Sequence, residues 1–198
     1  MLGLNGALIL ALVVVGIAAN SVSVLAAAGD TVGDCFGLVI GLIAVTLRDR
    51  DPDHPQAHRP IAIAALINSV LLLSVTVSVV IEAAARLLAG SSPVEGLPVV
   101  IVAVITILVM LAGAWVLGAS AASEDLHMRS VLLDALADAS AAAGVAIAGV
   151  IILATEGLYW LDPVLALIIS AVIAIAAVRL LIKAVAALRG EDVDFDDD

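Results

Sequence analysis

The sequence predicts an all-α membrane protein with six transmembrane helices and with its N- and C-termini in the cytoplasm. Hydrophobic residues make up 64% of the chain, and the mean hydropathy is +1.25, a composition that soluble domains do not have. A helix needs about 20 apolar residues to cross a bilayer, and the chain offers six such stretches. They cover residues 2–19, 22–47, 61–88, 97–119, 130–154 and 163–188.

Turn or cap residues bound these stretches in order. The first ends at AANS, the second at the polar loop RDRDPDHPQAHRP, the third at AGSSPVEG, the fourth at a serine- and acid-containing break, and the fifth at EGLYW. We expect Asp162 to cap the sixth helix and Pro163 to be its first residue. A signal peptide is the alternative for the first stretch, but no basic segment precedes it and no clear cleavage site precedes Asn20.

Basic residues near the helix ends predict the orientation, because cytoplasmic loops carry an excess of Lys and Arg. Arg86 flanks a helix on one side of the membrane, whereas six basic residues fall on the other side. Those six are Arg48, Arg50, Arg59, Arg129, Lys183 and Arg189. Six helices put both termini on this basic side. We therefore predict cytoplasmic termini and a location in the inner membrane of a prokaryotic cell.

The acidic balance of the chain limits its partners. The formal net charge is −11, which argues against nucleic-acid binding. We predict a membrane domain over residues 1–190 and a solvated acidic tail over residues 191–198.

Cys35 is the one cysteine, which excludes an internal disulfide. We expect it to pack as a small apolar residue, with a soft accessory metal ligand as the alternative.

Two pairs of aspartates lie inside apolar stretches. Asp30 and Asp34 are four residues apart in the second stretch, and Asp134 and Asp138 repeat this spacing in the fifth. A carboxylate near the bilayer centre costs about 2.5–3.5 kcal/mol on insertion scales. Residues four apart share a helix face, so two facing pairs would form a hard oxygen site for a divalent cation. Such a site would also attract protons, which would compete with the metal.

The alternative is that each pair sits at a helix end or in a wet crevice without a specific ligand. Asp34 lies 13 residues before Leu47, roughly 20 Å along a helix, which disfavours this alternative for the second helix. Asp134 follows Arg129 by five residues, so the alternative stays open for the fifth helix. Small residues beside the pairs should let the two helices meet. These residues are Gly29, Gly33, Ala137 and Ala141.

A second polar cluster lies in the basic loop, where DPDHPQAH contains Asp51, Asp53, His54 and His58. Imidazole and carboxylate together suit Zn²⁺ and neighbouring metals. Taken alone this signal is weak, since histidines near prolines are common in surface loops. Beside an intramembrane acid site, we interpret the cluster as a loading site for metal.

Taken together, these motifs resemble the cation diffusion facilitators, also called cation efflux proteins, over residues 5–190. The stretch NSVSVLAAAGDTVGD resembles the second-helix motif of the family, a Ser-x-Ser-x-Leu-Ala lead-in followed by two metal ligands four apart. HPQAHRPIAIAALINS is similar to its histidine loop and third helix, and IEAAARLLAGSSPV to the end of that helix. DALAD falls where the family has His-x-x-x-Asp or Asp-x-x-x-Asp, and LYWLDPVLALIIS resembles the start of its sixth helix.

The resemblance implies a secondary transporter, not an enzyme, that exports divalent Zn, Mn or Fe from the cytoplasm in exchange for protons. It implies a homodimer in the lipid bilayer and no bound cofactor. The implied transport site is Asp30, Asp34, Asp134 and Asp138, and the implied loop site is Asp51, His54 and His58. Two departures are expected to matter. The cytoplasmic domain that follows the sixth helix in the family is lacking here, and Asp134 replaces the fifth-helix histidine of zinc members, which favours Mn²⁺ or Fe²⁺.

Two other functions remain as alternatives. An intramembrane aspartyl protease also pairs aspartates from two helices, but its Tyr-Asp and Gly-x-Gly-Asp patterns do not match. Thr31 precedes VGD here, and neither Asp134 nor Asp138 follows a tyrosine. A membrane subunit that binds metal without transporting it, as a partner of a full-length relative, is the other alternative.

Overall fold

A computed structural model describes residues 2–49, 59–120 and 126–189. These residues form six α-helices and no strand, which confirms the predicted all-α class. The helices are α1 (Leu2–Ala18), α2 (Val22–Asp49), α3 (Arg59–Ala89), α4 (Gly96–Ser120), α5 (Leu126–Thr155) and α6 (Leu161–Leu188). Most helix ends fall within two residues of the predicted ones. The largest difference is in α5, which starts four residues earlier than residue 130.

The helices α2 to α6 are long and apolar enough to cross a bilayer, whereas the apolar helix α1 is shorter. Large hydrophobic side chains cover their outer faces; Leu42, Ile81 and Val172 are each more than 60% exposed. Such a surface would be costly in water but matches the hydrocarbon core of a membrane. Buried positions instead hold small residues, for example Ala83 and Ala166, both 0% exposed. These small residues let the helix backbones approach closely.

The helix pairs differ in how extensively they contact each other. The most extensive contacts join α3 to α6 and α4 to α5, while α2 packs mainly on α3 and touches α1, α6 and α5. Gly29 and Gly33 face α3, because a Cβ on either would collide with Val75 or Leu72. The prediction that these glycines make room for α5 is therefore wrong. Each helical residue is rotated by about 100° from the one before it, so Asp30 and Asp34 lie on a different face from these glycines.

The predicted role of Asp162 is also wrong. Helix α6 starts at Leu161, and its N-cap Trp160 makes no side-chain cap hydrogen bond. The Asp162 carboxylate instead accepts hydrogen bonds from the start of α2. Its Oδ1 lies 2.6 Å from Ser21 Oγ and 2.5 Å from Ser23 Oγ, and its Oδ2 lies 2.7 Å from the Val22 amide nitrogen. The carboxylate is buried and accepts hydrogen bonds from backbone amides that would otherwise be unpaired at the N-terminus of α2. It therefore joins the start of α2 to the start of α6.

A second set of contacts closes the same end of the bundle. Asn20 has a left-handed backbone (φ 56°), and its carbonyl oxygen accepts a 2.5 Å hydrogen bond from Arg86 Nη1. Arg86 also pairs with Glu82 one helical turn earlier, with Nε 2.8 Å from Oε1. The Glu95 amide donates to the Ala19 carbonyl at 3.1 Å. The short α1–α2 turn is thereby held against α3 and the start of α4.

Candidate metal centre

Three of the four predicted intramembrane carboxylates come together. Asp30 and Asp34 on α2 and Asp138 on α5 each offer an oxygen, and these oxygens all lie within 4.8 Å of one another. All three side chains are partly buried. One helix supplies the i, i+4 pair and a second helix supplies the third carboxylate, so the cluster depends on the packing of α2 beside α5. Among the described residues the group does not include Cys35.

The cluster lies well inside both helices. Asp30 follows the first residue of α2, Val22, by about 12 Å along the axis at 1.5 Å per residue. Asp138 lies about 18 Å from the first residue of α5, Leu126. Because α5 starts four residues earlier than predicted, Asp138 is several turns from either end of the helix. The alternative for Asp134 rests on its closeness to Arg129, which the start of the helix does not change.

Electrostatics determines what such a cluster can bind. Two unit charges about 4.8 Å apart repel each other by roughly 3–4 kcal/mol at an effective dielectric constant of 20. Three ionised carboxylates at this spacing therefore repel one another unless a positive charge lies among them. Carboxylate oxygens are hard ligands that suit divalent ions.

Several predicted ligands lie where the structure gives no side-chain position. Asp134 belongs to α5, one helical turn before Asp138, but its side chain is outside the described residues. The loop residues Asp51, His54 and His58 also lie outside them, as does the acidic tail. For these positions the predicted ligand roles stay predictions.

Two polar side chains with a buried oxygen, unpartnered among the described residues, lie on the helices that pack against α2; the sequence predicts a hydrogen-bonding role for Asn68, whereas Ser170 was missed. Asn68 on α3 approaches Gly37, one turn beyond Asp34, and its buried Oδ1 has no hydrogen-bond partner in the described part of the chain. Ser170 on α6 is 1% exposed, and its Oγ is likewise unpartnered there. A polar residue within an apolar helix can be recognised from the sequence. The sequence does not tell which neighbouring helix the residue faces.

Comparison with known proteins gives a consistent match. Residues 1–189 match the family model described as the cation efflux transmembrane domain. The zinc transporter ZitB of Escherichia coli (strain K12) is 31% identical over 198 residues, covering 98% of this chain and 63% of that protein. ZitB of Yersinia pestis is 32% identical over 165 residues, covering 82% of this chain and 52% of that protein.

A relative with a different name matches the same region. The metal cation efflux system protein CzcD of Cupriavidus metallidurans is 30% identical over 173 residues, which cover 85% of this chain and 54% of that protein. The matched region thus spans between 52% and 63% of the length of these three curated relatives.

Proposed function

Because the chain belongs to the cation efflux family, we propose that it exports a divalent transition metal from the cytoplasm in exchange for protons. Family membership, five membrane-length helices and bacterial relatives together indicate an integral membrane protein of the prokaryotic inner membrane. The relatives are named as transporters of zinc or as metal efflux proteins. A secondary transporter, with no enzymatic reaction, is the function that this membership supports best.

The observation that carries the proposal is the approach of Asp30, Asp34 and Asp138 within 4.8 Å, inside two helices long and apolar enough to cross a membrane. We place Asp134 in the same site as a fourth ligand. With the site open to the cytoplasm, a metal ion displaces the protons that neutralise the carboxylates. With the site open to the other side, protons displace the metal. The two steps use the same oxygens, so metal and protons move in opposite directions.

A pH gradient should therefore drive transport. The purified chain, reconstituted in liposomes with an acidic interior and with the membrane potential clamped by potassium and valinomycin, should accumulate Zn²⁺ or Mn²⁺. One pH unit should support about tenfold accumulation for each proton exchanged, because it is worth about 1.4 kcal/mol. Metal entry is followed with a fluorescent indicator inside the vesicles.

Two controls make this experiment decisive. Collapsing the gradient with nigericin should abolish accumulation; an unchanged metal flux would indicate a channel or uniporter. Binding of metal in detergent without any uptake in liposomes would indicate the alternative of a non-transporting subunit.

We propose Mn²⁺ or Fe²⁺ as the favoured cargo, with Zn²⁺ as the other candidate. Zinc sites usually include imidazole or thiolate, whereas a site of carboxylates alone suits harder ions. Asp134→His adds an imidazole to the site and should shift the transport ratio toward Zn²⁺ over Mn²⁺. Asp134→Asn removes the same charge without adding imidazole, so it is the matched control. An identical Zn²⁺ to Mn²⁺ ratio in wild type and Asp134→His would rule out ligand softness at residue 134 as the selecting factor.

A further inference from the structure

A cleft beside the carboxylate cluster lies between α2, α3 and α6. It contains about 200 Å³ of empty space, part of it open to the surroundings, and has room for one water molecule at most. Its walls are mostly apolar, but three polar side chains line it. These are Asp30 from α2, Thr76 from α3 and Ser170 from α6. The cleft therefore reaches Asp30, one of the three carboxylates of the candidate metal site.

Ser170 differs from other hydroxyl residues in the helices. Ser69, Ser74 and Thr106 donate to the carbonyl oxygen four residues earlier in their own helices, at 2.6, 2.7 and 2.9 Å. Ser170 makes no such bond; the residue lines the cleft, and its Oγ is buried and has no partner within the described residues. A buried hydroxyl without a hydrogen bond is unfavourable, since it has lost its hydration and gained nothing.

We infer that the cleft binds a water molecule that links the Ser170 hydroxyl to the Asp30 carboxylate. The Ser170 hydroxyl donates to the water, and the water donates to a carboxylate oxygen of Asp30. The Thr76 hydroxyl lines the same space and is a third group of the kind that holds a buried water. Ser170 is then a positioning residue, because hydrogen bonds to a carboxylate ligand fix its orientation toward a metal. This last role rests on the proposed function.

The test compares Ser170→Ala with Ser69→Ala in the purified full chain. Both positions are buried, but the Ser69 hydroxyl is already satisfied by the Ala65 carbonyl, so its loss is the matched control. We expect Ser170→Ala to weaken the affinity for Zn²⁺ and Mn²⁺ about tenfold, the lower end of the effect of removing an outer-shell partner, and Ser69→Ala to leave it unchanged. Competition titrations against a fluorescent chelator measure both affinities.

Melting temperatures of the metal-free protein, followed by tryptophan fluorescence, test the water without any metal. If the cleft is dry, Ser170→Ala removes an unpaired buried hydroxyl and should raise Tm by several degrees. If the water is present, Tm should stay equal or fall. A raised Tm overturns the bound water, and an affinity equal to that of Ser69→Ala overturns the positioning role. A wild-type protein that binds neither metal contradicts the proposed function instead, and Tm still decides on the water.

Discussion

Replacing Asp138 by alanine should abolish metal transport while leaving the protein folded. Asp138 is the carboxylate that α5 adds to the described cluster, so its loss breaks the contact between the α2 pair and α5 at this position. Removing an outer-shell partner of a metal ligand costs about 10–100-fold in affinity or activity, and removing a ligand should exceed that range. We expect Asp34→Ala to have an equal effect. Uptake of Zn²⁺ and Mn²⁺ by reconstituted liposomes measures the loss, and size-exclusion chromatography checks the fold.

The matched control for this charge removal is Glu95→Ala. Glu95 is an exposed acid at the end of the bundle, and its hydrogen bond to the Ala19 carbonyl comes from the backbone amide, which alanine keeps. It should transport as wild type does. We expect loss of the loop histidines, His54→Ala and His58→Ala, to reduce rate or affinity only in part. Near-normal transport by Asp138→Ala would show that Asp138 is not an essential ligand.

Replacing Asp162 by alanine should produce the largest loss of stability of any substitution proposed here. The carboxylate is 1% exposed and accepts hydrogen bonds from two serine hydroxyls and two backbone amides at the start of α2. Hydrogen bonds to a charged group contribute about 1.5–3 kcal/mol each, and their non-additive sum should lower the free energy of unfolding by at least ~3 kcal/mol. This corresponds to a fall in Tm of roughly 6–12 °C.

Two other variants should lose less stability than Asp162→Ala. Asp162→Asn keeps one carbonyl acceptor and should lose less stability than Asp162→Ala. Glu82→Ala removes an acid that pairs with Arg86 one turn further along the same helix. Glu82 is 55% exposed, so this pair should contribute only about 0–1 kcal/mol. Equal Tm values for Asp162→Ala and Glu82→Ala would show that Asp162 does not hold α2 to α6.

The partners of single residues show where prediction from the sequence failed. Asp162 beside Pro163 has the local pattern of an N-cap, yet its carboxylate binds residues about 140 positions away in the chain. Two motifs that the resemblance treats separately, the Ser-x-Ser lead-in and the LDP segment, are two halves of one contact. Gly29 and Gly33 were expected to face α5, but they face α3. In each case the residue was identified correctly and the neighbour was not.

The sequence by itself determined the six helices, their approximate ends, and the presence of i, i+4 carboxylate pairs within apolar segments. These features depend on hydropathy along one segment and on the geometry of a single helix, both of which are local. The tertiary structure alone decided that Asp138 lies beside Asp30 and Asp34, that Asp162 caps α2, and that Ser170 lines a cleft at Asp30. Helices in lipid gain no hydrophobic preference for one apolar partner over another, so close packing between distant segments selects which faces meet.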